Sequence, residues 1–330
     1  MNIKVSDLRR FQKLASNIKS NSILPIYDYL KFGGGKIVKS VGHAFLEFSC
    51  KDADEYILVE EHDLNSLLNQ TPSEFINISI KGGKTVLDDS RDKIPFQTKS
   101  AKEFPETPVP SSERHDLSPE FLEVLGMAAN FSENYKATAH YYMYVHVGEK
   151  TVCSGDGIFG FYSPVAEDFK MVIEKRIAQF VSKCNTQAFA QSDNFYFFYT
   201  PEAVMGFSQQ VIGWADLRKY LIGGDKLTFS ASASDIGSYC ALSMQIAEKS
   251  VVTMQTGKFE MYDMLRDKGV ERPAENLKLP ESFSFDPSRM SRLISALGVE
   301  ELDFYDGKGL YYVKSSEINS SAIIAKIHKP

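Results

Sequence analysis

EKRIAQFVSKC, residues 174–184, is the stretch whose reading decides the fold. Its apolar residues Ile177, Phe180, Val181 and Cys184 fall at i, i+3, i+4 and i+7. That is one stripe of a short amphipathic helix, with Lys175, Arg176 and Lys183 off the stripe. A β-like segment precedes it (Phe169 to Ile173) and a strand-rich one follows (Asn194 to Tyr199). The pattern returns 113 residues earlier as Leu64, Leu67 and Leu68 in EEHDLNSLLNQ, and 113 residues later as Met290, Leu293 and Ile294 in DPSRMSRLISAL. Each copy follows a β-like run, Tyr56 to Val59 and Phe283 to Phe285 in the two flanking copies. A second element repeats at the same step. Phe121, Val124, Ala128 and Phe131 match Leu8, Phe11, Ala15 and Ile18, whereas the third copy, around Ile236, Tyr239 and Cys240, is out of step by about a residue. Self-similarity at a fixed period predicts an internal repeat.

Length agrees with this. A chain of 330 residues holds two or three ordinary domains, and three copies of about 113 residues fit. An apolar fraction of 43% with 24% charged residues describes a globular protein with a sizeable core. No apolar run approaches the roughly 18 residues of a membrane span, and MNIKVSDLRR lacks a signal-peptide core, so a cytoplasmic location and no membrane partner are expected. Cys50, Cys153, Cys184 and Cys240 are scattered without metal-ligand spacing, so neither a metal site nor a disulfide framework is expected. The net charge of −6 disfavours tight phosphate binding by the chain as a whole but leaves room for local basic surface.

In chain order, residues 1–20 predict a strand and then a helix opened by Ser6, with Arg9, Arg10, Lys13 and Lys19 off its apolar stripe. Hairpins follow, with turns at Gly33 to Gly35, Gly82-Gly83 and Gly155-Asp156-Gly157, and a late one at Asp306-Gly307. The Pro- and Ser-rich FPETPVPSSER ends a first unit. The expected architecture is α+β: three tandem domains, residues 1–113, 114–225 and 226–330, each made of two β-α-β-β-β halves with helices on one face of antiparallel sheet.

Enzymatic readings find little support. His43, His62, His115, His140, His146 and His328 stand in no metal or nucleophile motif. GGGK at residues 33–36 lacks the phosphate-loop spacing and joins strands, and no nucleophile-elbow, zinc-protease or dinucleotide fingerprint is present. No catalytic residue and no cofactor are expected.

Four stretches carry a family resemblance. Leu24-Pro25-Ile26 with Leu30 looks like a family "LPIL", and Glu103-Phe104-Pro105 like "dFP". Ser154 to Gly157 looks like "atDG", and Gly213 to Leu221, GWADLRKYL, like "G.FPDYRRVLP". In their order and spacing they make the chain resemble the bacterial sliding clamp, the DNA polymerase III β subunit, as a divergent member. Ala215 stands for a family proline, Ile222 for another, and Ile158-Phe159 for His-Arg. The resemblance implies a DNA-clamp fold with helices lining the inside and sheets outside, closed head-to-tail as a homodimer ring. It implies a processivity factor in DNA replication, with duplex DNA, a DNA polymerase and a clamp loader as partners.

Sliding needs weak, exchangeable phosphate contacts that carry no sequence information. The cations that would supply them are Arg9, Arg10, Lys13, Lys175, Arg176, Lys183, Arg289 and Arg292, with Arg218 and Lys219 in the family-like motif. The bland alternative is a set of solvated helix faces. The resemblance also implies an apolar peptide cleft, carried over onto Ile158, Phe159, Leu221, Ile222, Ile327, His328 and Pro330. Plain core packing is the alternative for Phe159 and Leu221. A repeat-built interaction or structural protein that encircles no DNA is the alternative for the whole chain.

Overall fold

The computed structural model describes residues 1–19, 24–132, 140–156, 158–209, 212, 217, 221–224, 226–265, 268–275 and 277–327. Arg218, Lys219, His328 and Pro330 lie outside the described residues. The chain divides into two compact units: Met1–Ser118 with Lys183–Gln209, and Pro119–Ser182 with Gln210–Pro330.

The first unit holds α1 (Val5–Ala15) and α2 (Glu61–Gln70). One of its sheets has four strands, ordered β1 (Asn2–Lys4), β6 (Phe75–Lys81), β7 (Lys84–Asp88) and β8 (Lys93–Gln97). The other has eight: β5 (Ile57–Glu60), β2 (Tyr29–Gly33), β3 (Lys36–Ser40), β4 (Ala44–Ser49), β16 (Ala203–Ser208), β15 (Phe195–Tyr199), β14 (Ala188–Gln191) and β9 (His115–Asp116).

The second unit holds α3 (Pro119–Ala129), α4 (Lys175–Val181), α5 (Ala233–Ile246) and α6 (Pro287–Leu297). Its eight-stranded sheet runs β13 (Met171–Glu174), β10 (Tyr144–Gly148), β11 (Thr151–Gly155), β12 (Phe159–Pro164), β24 (Ile318–Ala325), β23 (Leu310–Ser315), β22 (Glu301–Gly307) and β17 (Leu227–Ser232). Its four-stranded sheet runs β20 (Lys268–Ala274), β19 (Gly257–Asp263), β18 (Ser250–Gln255) and β21 (Phe283–Phe285). All strand pairs are antiparallel. The β4–β16 and β12–β24 ladders join strands of successive sequence repeats into single sheets. Compactness therefore follows the sheets rather than the repeats.

One rule places the core of each of these six helices. The helices start straight out of strands or extended residues, with Lys4, Glu60, Glu174, Ser232 and Asp286 as caps in extended backbone. The fourth and seventh residues after the cap are buried each time: Leu8 and Phe11, Leu64 and Leu67, Ala178 and Val181, Ile236 and Tyr239, Met290 and Leu293. In α3, Leu122 and Leu125 stand at the same distances from Ser118. Spacing of three residues is one side of a 3.6-residue helix, and the strand before it fixes which side faces the sheet.

This corrects the predicted stripe on the central helix. The helix ends at Val181, and Ile177, Phe180 and Cys184 are only half-buried, while Ala178 and Val181 are fully buried. Lys4, Ser118 and Ser232 are separated by steps of 114 residues, as are Glu60 and Glu174, whereas Glu174 to Asp286 is 112. The copy around Ile236 is therefore in step at 114, and only for the second helix of each repeat is the offset of 113 the average of two unequal steps. The last hairpin also shifts: β22 runs through Gly307, and the turn falls at Lys308-Gly309 with Gly309 at φ +77°. The double-glycine turns stand as expected, Gly34-Gly35 and Gly82-Gly83 all having positive φ suited to tight hairpins.

Candidate nucleic-acid interface and peptide cleft

In the first unit, α1 and α2 pack together, with Gln12 Nε2 donating to Asn65 Oδ1 at 3.1 Å. The polar face of α1 carries Arg9, Arg10 and Lys13, all exposed. Arg9 reaches the end of α2, where its Nη2 donates to the Leu68 carbonyl at 3.4 Å, a favourable place for a cation. Arg10 is held by Asp7 at 2.7 Å and by Glu202, and its hydrogen bond to Asp7 raises its pKa further. Lys13 is close enough for its charge to act on Cys184, next to exposed Lys183. Arg9, Arg10 and Lys13 thus share one basic face of α1, with Arg10 internally neutralised.

In the second unit the cations are more tightly engaged. Arg176 is exposed, but Lys175 Nζ donates to the Ser132 carbonyl at 3.0 Å. Arg292 donates through Nε to the Asn130 carbonyl at 3.0 Å and through Nη2 to Ser132 O at 3.3 Å, beyond the end of α3, with its guanidinium 4.9 Å from the Phe159 ring centroid. Arg289 pairs with Asp156 at 3.2 Å. The carbonyls past the end of α3 thus attract two of these cations.

The residues expected to form a peptide cleft fall on two faces around β12. Phe159 is fully buried toward α3, stacked on Phe131 at 4.7 Å between centroids, so it packs in the core on the face away from Leu221. The opposite face carries Gly160 and Tyr162, because neighbours in a strand alternate, and Ile158 lies in the bend just before the strand. Leu221 lies on that face: a Cβ at Gly160 would come 2.5 Å from its Cδ2. Leu221 joins Leu217, Cys153 and Ile323 in a buried cluster edged by Tyr162, Leu310 and Tyr312. Next to Leu221 in the chain Ile222 is 54% exposed, and two residues before Gly160 Ile158 is 48% exposed, two large aliphatic side chains presented to solvent. Ile158 O accepts the Ala325 N–H at 2.7 Å, and Ile327 N–H donates to Ser284 O at 2.8 Å, which brings the described end of the chain alongside. Gly223 and Gly224 press flat on tyrosines beside that cluster, since a Cβ at Gly223 would lie 2.3 Å from Tyr312. Sequence reasoning missed Tyr162, Tyr312 and Asp156. The Gly223-Gly224 pair, which permits that close approach, is the signal that could have found the tyrosines.

A separate cleft of about 290 Å³ lies between α5 and the β19–β20 hairpin, with Ile236 and Phe259 at its base and Ser232, Asp235, Arg272 and Glu275 around it. Among the described residues, no three His, Cys, Asp or Glu side chains come together as a metal site. No helix of the described residues is long and apolar enough to cross a membrane.

This architecture is the bacterial sliding-clamp fold of tandem α+β domains. No protein-family model matches the sequence, and no curated protein sequence matches it. Solved structures match from end to end. The DNA polymerase sliding clamp of Bacillus subtilis superposes with a TM-score of 0.84 at 12% identity, covering 100% of this chain and 99% of the other. The Pseudomonas aeruginosa clamp bound to griselimycin gives 0.82 at 15% identity, covering 100% and 99%. The Helicobacter pylori β clamp bound to a DNA ligase peptide gives 0.81 at 13% identity, covering 99% and 100%. At such identities the likeness is one of fold.

Proposed function

We propose that this protein is a sliding clamp: a homodimer that closes as a ring around duplex DNA and docks short peptides of a DNA polymerase and a clamp loader. It works in the cytoplasm without catalysis or cofactor. The observation that carries this reading is the state of the sheets. Two of them reach eight strands by joining successive repeats through β4–β16 and β12–β24. The other two stop at four, and among the described residues β8 and β20 each pair on one side only. Bare edges of this kind invite further pairing. Setting β8 of one copy beside β20 of a second makes another sheet of eight. Doing so at both ends closes two chains and leaves neither edge open. The cleft beside β20 would then be covered by the second copy.

On this reading residues 1–113, 114–225 and 226–330 are the three clamp domains, six to a ring, with α1 to α6 toward the DNA. Arg9, Lys13, Lys183 and Arg176 supply the exchangeable phosphate contacts, with Arg10, Lys175, Arg289 and Arg292, already engaged within the protein, adding charge behind them. Arg218 and Lys219 belong to the same proposed set. Ile158, Leu221, Ile222 and Ile327 form the peptide cleft, to which His328 and Pro330 are assigned by resemblance alone. Exposed aliphatic rims over a buried floor suit a peptide that inserts apolar anchors, and the ligase peptide on the Helicobacter clamp supports this.

The test is topological. Protein is threaded onto a linear duplex tethered at one end, and the free end is then blocked with a bulky protein. Salt high enough to strip phosphate contacts should leave protein on the blocked duplex, and cutting the duplex should release it. Equal loss from blocked and unblocked duplex would leave a repeat-built interaction protein as the better account.

A further inference from the structure

The turn between β11 and β12 is tied to α6 through one carboxylate. Asp156 Oδ1 accepts the backbone N–H groups of Ile158 at 3.0 Å and Phe159 at 2.8 Å. That closes the turn presenting Ile158 to solvent. The other oxygen, Oδ2, accepts from Arg289 Nη2 at 3.2 Å. Arg289 lies in the first turn of α6, where its backbone N–H donates to the cap Asp286 Oδ1 at 3.1 Å. One turn further on, Arg292 covers the Phe159 ring. The start of β12 is therefore gripped from the helix side at Asp156 and Phe159, while Gly160 on its opposite face packs against Leu221. The side chains of Asp156 and Arg289 are only 13% and 26% exposed, so water screens the pair less than it would a surface pair.

We infer that Asp156 and Arg289 are positioning residues of the proposed peptide cleft: their ion pair sets where exposed Ile158 stands at the start of β12, two residues before the Gly160 on which Leu221 packs, and so governs affinity for peptides with apolar anchors. The inference rests on the clamp reading of that cleft. It gives Arg289 a structural task on the cleft, distinct from phosphate binding, and it ties residues 133 positions apart in the chain.

Griselimycin, which the solved Pseudomonas clamp holds, serves as the probe, with binding to the full-length protein measured calorimetrically. Asp156→Asn keeps an oxygen for the two N–H groups but removes the ion pair, and Arg289→Gln removes it from the other side. Each should weaken binding roughly threefold to tenfold. The double variant should bind no worse than the weaker single, because one interaction cannot be removed twice. Arg289→Lys should recover part of the affinity, and the melting temperature of each variant certifies that it is folded. If either single variant unfolds, Arg289→Lys against wild type decides: measurably weaker binding supports the inference and unchanged affinity overturns it. Singles that bind like wild type, or effects that multiply in the double, overturn the inference while leaving the cleft. Absence of griselimycin binding by the wild type removes the cleft reading, and the inference falls with it.

Discussion

Ala178 and Val181 anchor α4 to its sheet, although Ile177 and Phe180 are the bulkier neighbours. Replacing Ala178 with Leu should cost about 1–3 kcal/mol, because the site has no room to accept the added carbons. Ile177→Ala should cost less, and urea unfolding of both variants checks the order. The thiols give a second expectation. Burial pushes Cys184 up to about 11, with Lys13 opposing, and Cys240 up to about 12. Native protein at pH 8 should react slowly with a thiol reagent at both, and rapid labelling of Cys240 would contradict its placement. The sign for stability follows: a buried thiol favours the fold in its protonated form, fully below the ordinary value near 9, and that contribution is lost as pH climbs through 11 and 12. At this scale the chain was legible in kind but not in register. Leu67-Leu68 offers two apolar residues where one decides the phase, and three apolar positions accommodate a slip of one residue. Asp156 could not be picked out at all, since its partner lies on a helix far along the chain.

The elements themselves were legible because each helix follows its strand by the same handover, and a stripe repeated six times outweighs any local ambiguity. What the pattern could not tell is which strands end a sheet. Pro95 is paired with Val86 and Pro273 with Lys258. A proline is tolerated in a ladder where its nitrogen faces away from the neighbour, so each turns that nitrogen to the open edge. Both edges therefore lack one donor for a partner strand. Replacing Pro95 and Pro273 with Thr restores it. On the ring reading, at about 0.5–1.5 kcal/mol net per hydrogen bond, the double variant should dimerise more tightly than wild type in sedimentation equilibrium. Unchanged or weaker association would mean that these edges do not meet.

At the scale of the molecule, an acidic chain of net charge −6 confines several of its exposed cations to helix faces. On the clamp reading, replacing Arg9, Lys13 and Lys183 together with Ala should weaken DNA association at low salt. It should also flatten the salt dependence by about one unit of slope for each phosphate no longer neutralised. Topological retention on end-blocked duplex should persist, since the ring and not the charge holds the DNA. Fold and repeat point the same way here, whereas the individual phosphate partners depend on long side chains that sequence places on a helix but does not aim. The measurement closest to the central claim is an electron-microscope image of the purified protein at micromolar concentration. Closed rings of two chains, with a six-fold-looking outline and a central hole wide enough for duplex DNA, are the expected result. Single open arcs at every concentration, with no closed particles, would contradict that claim.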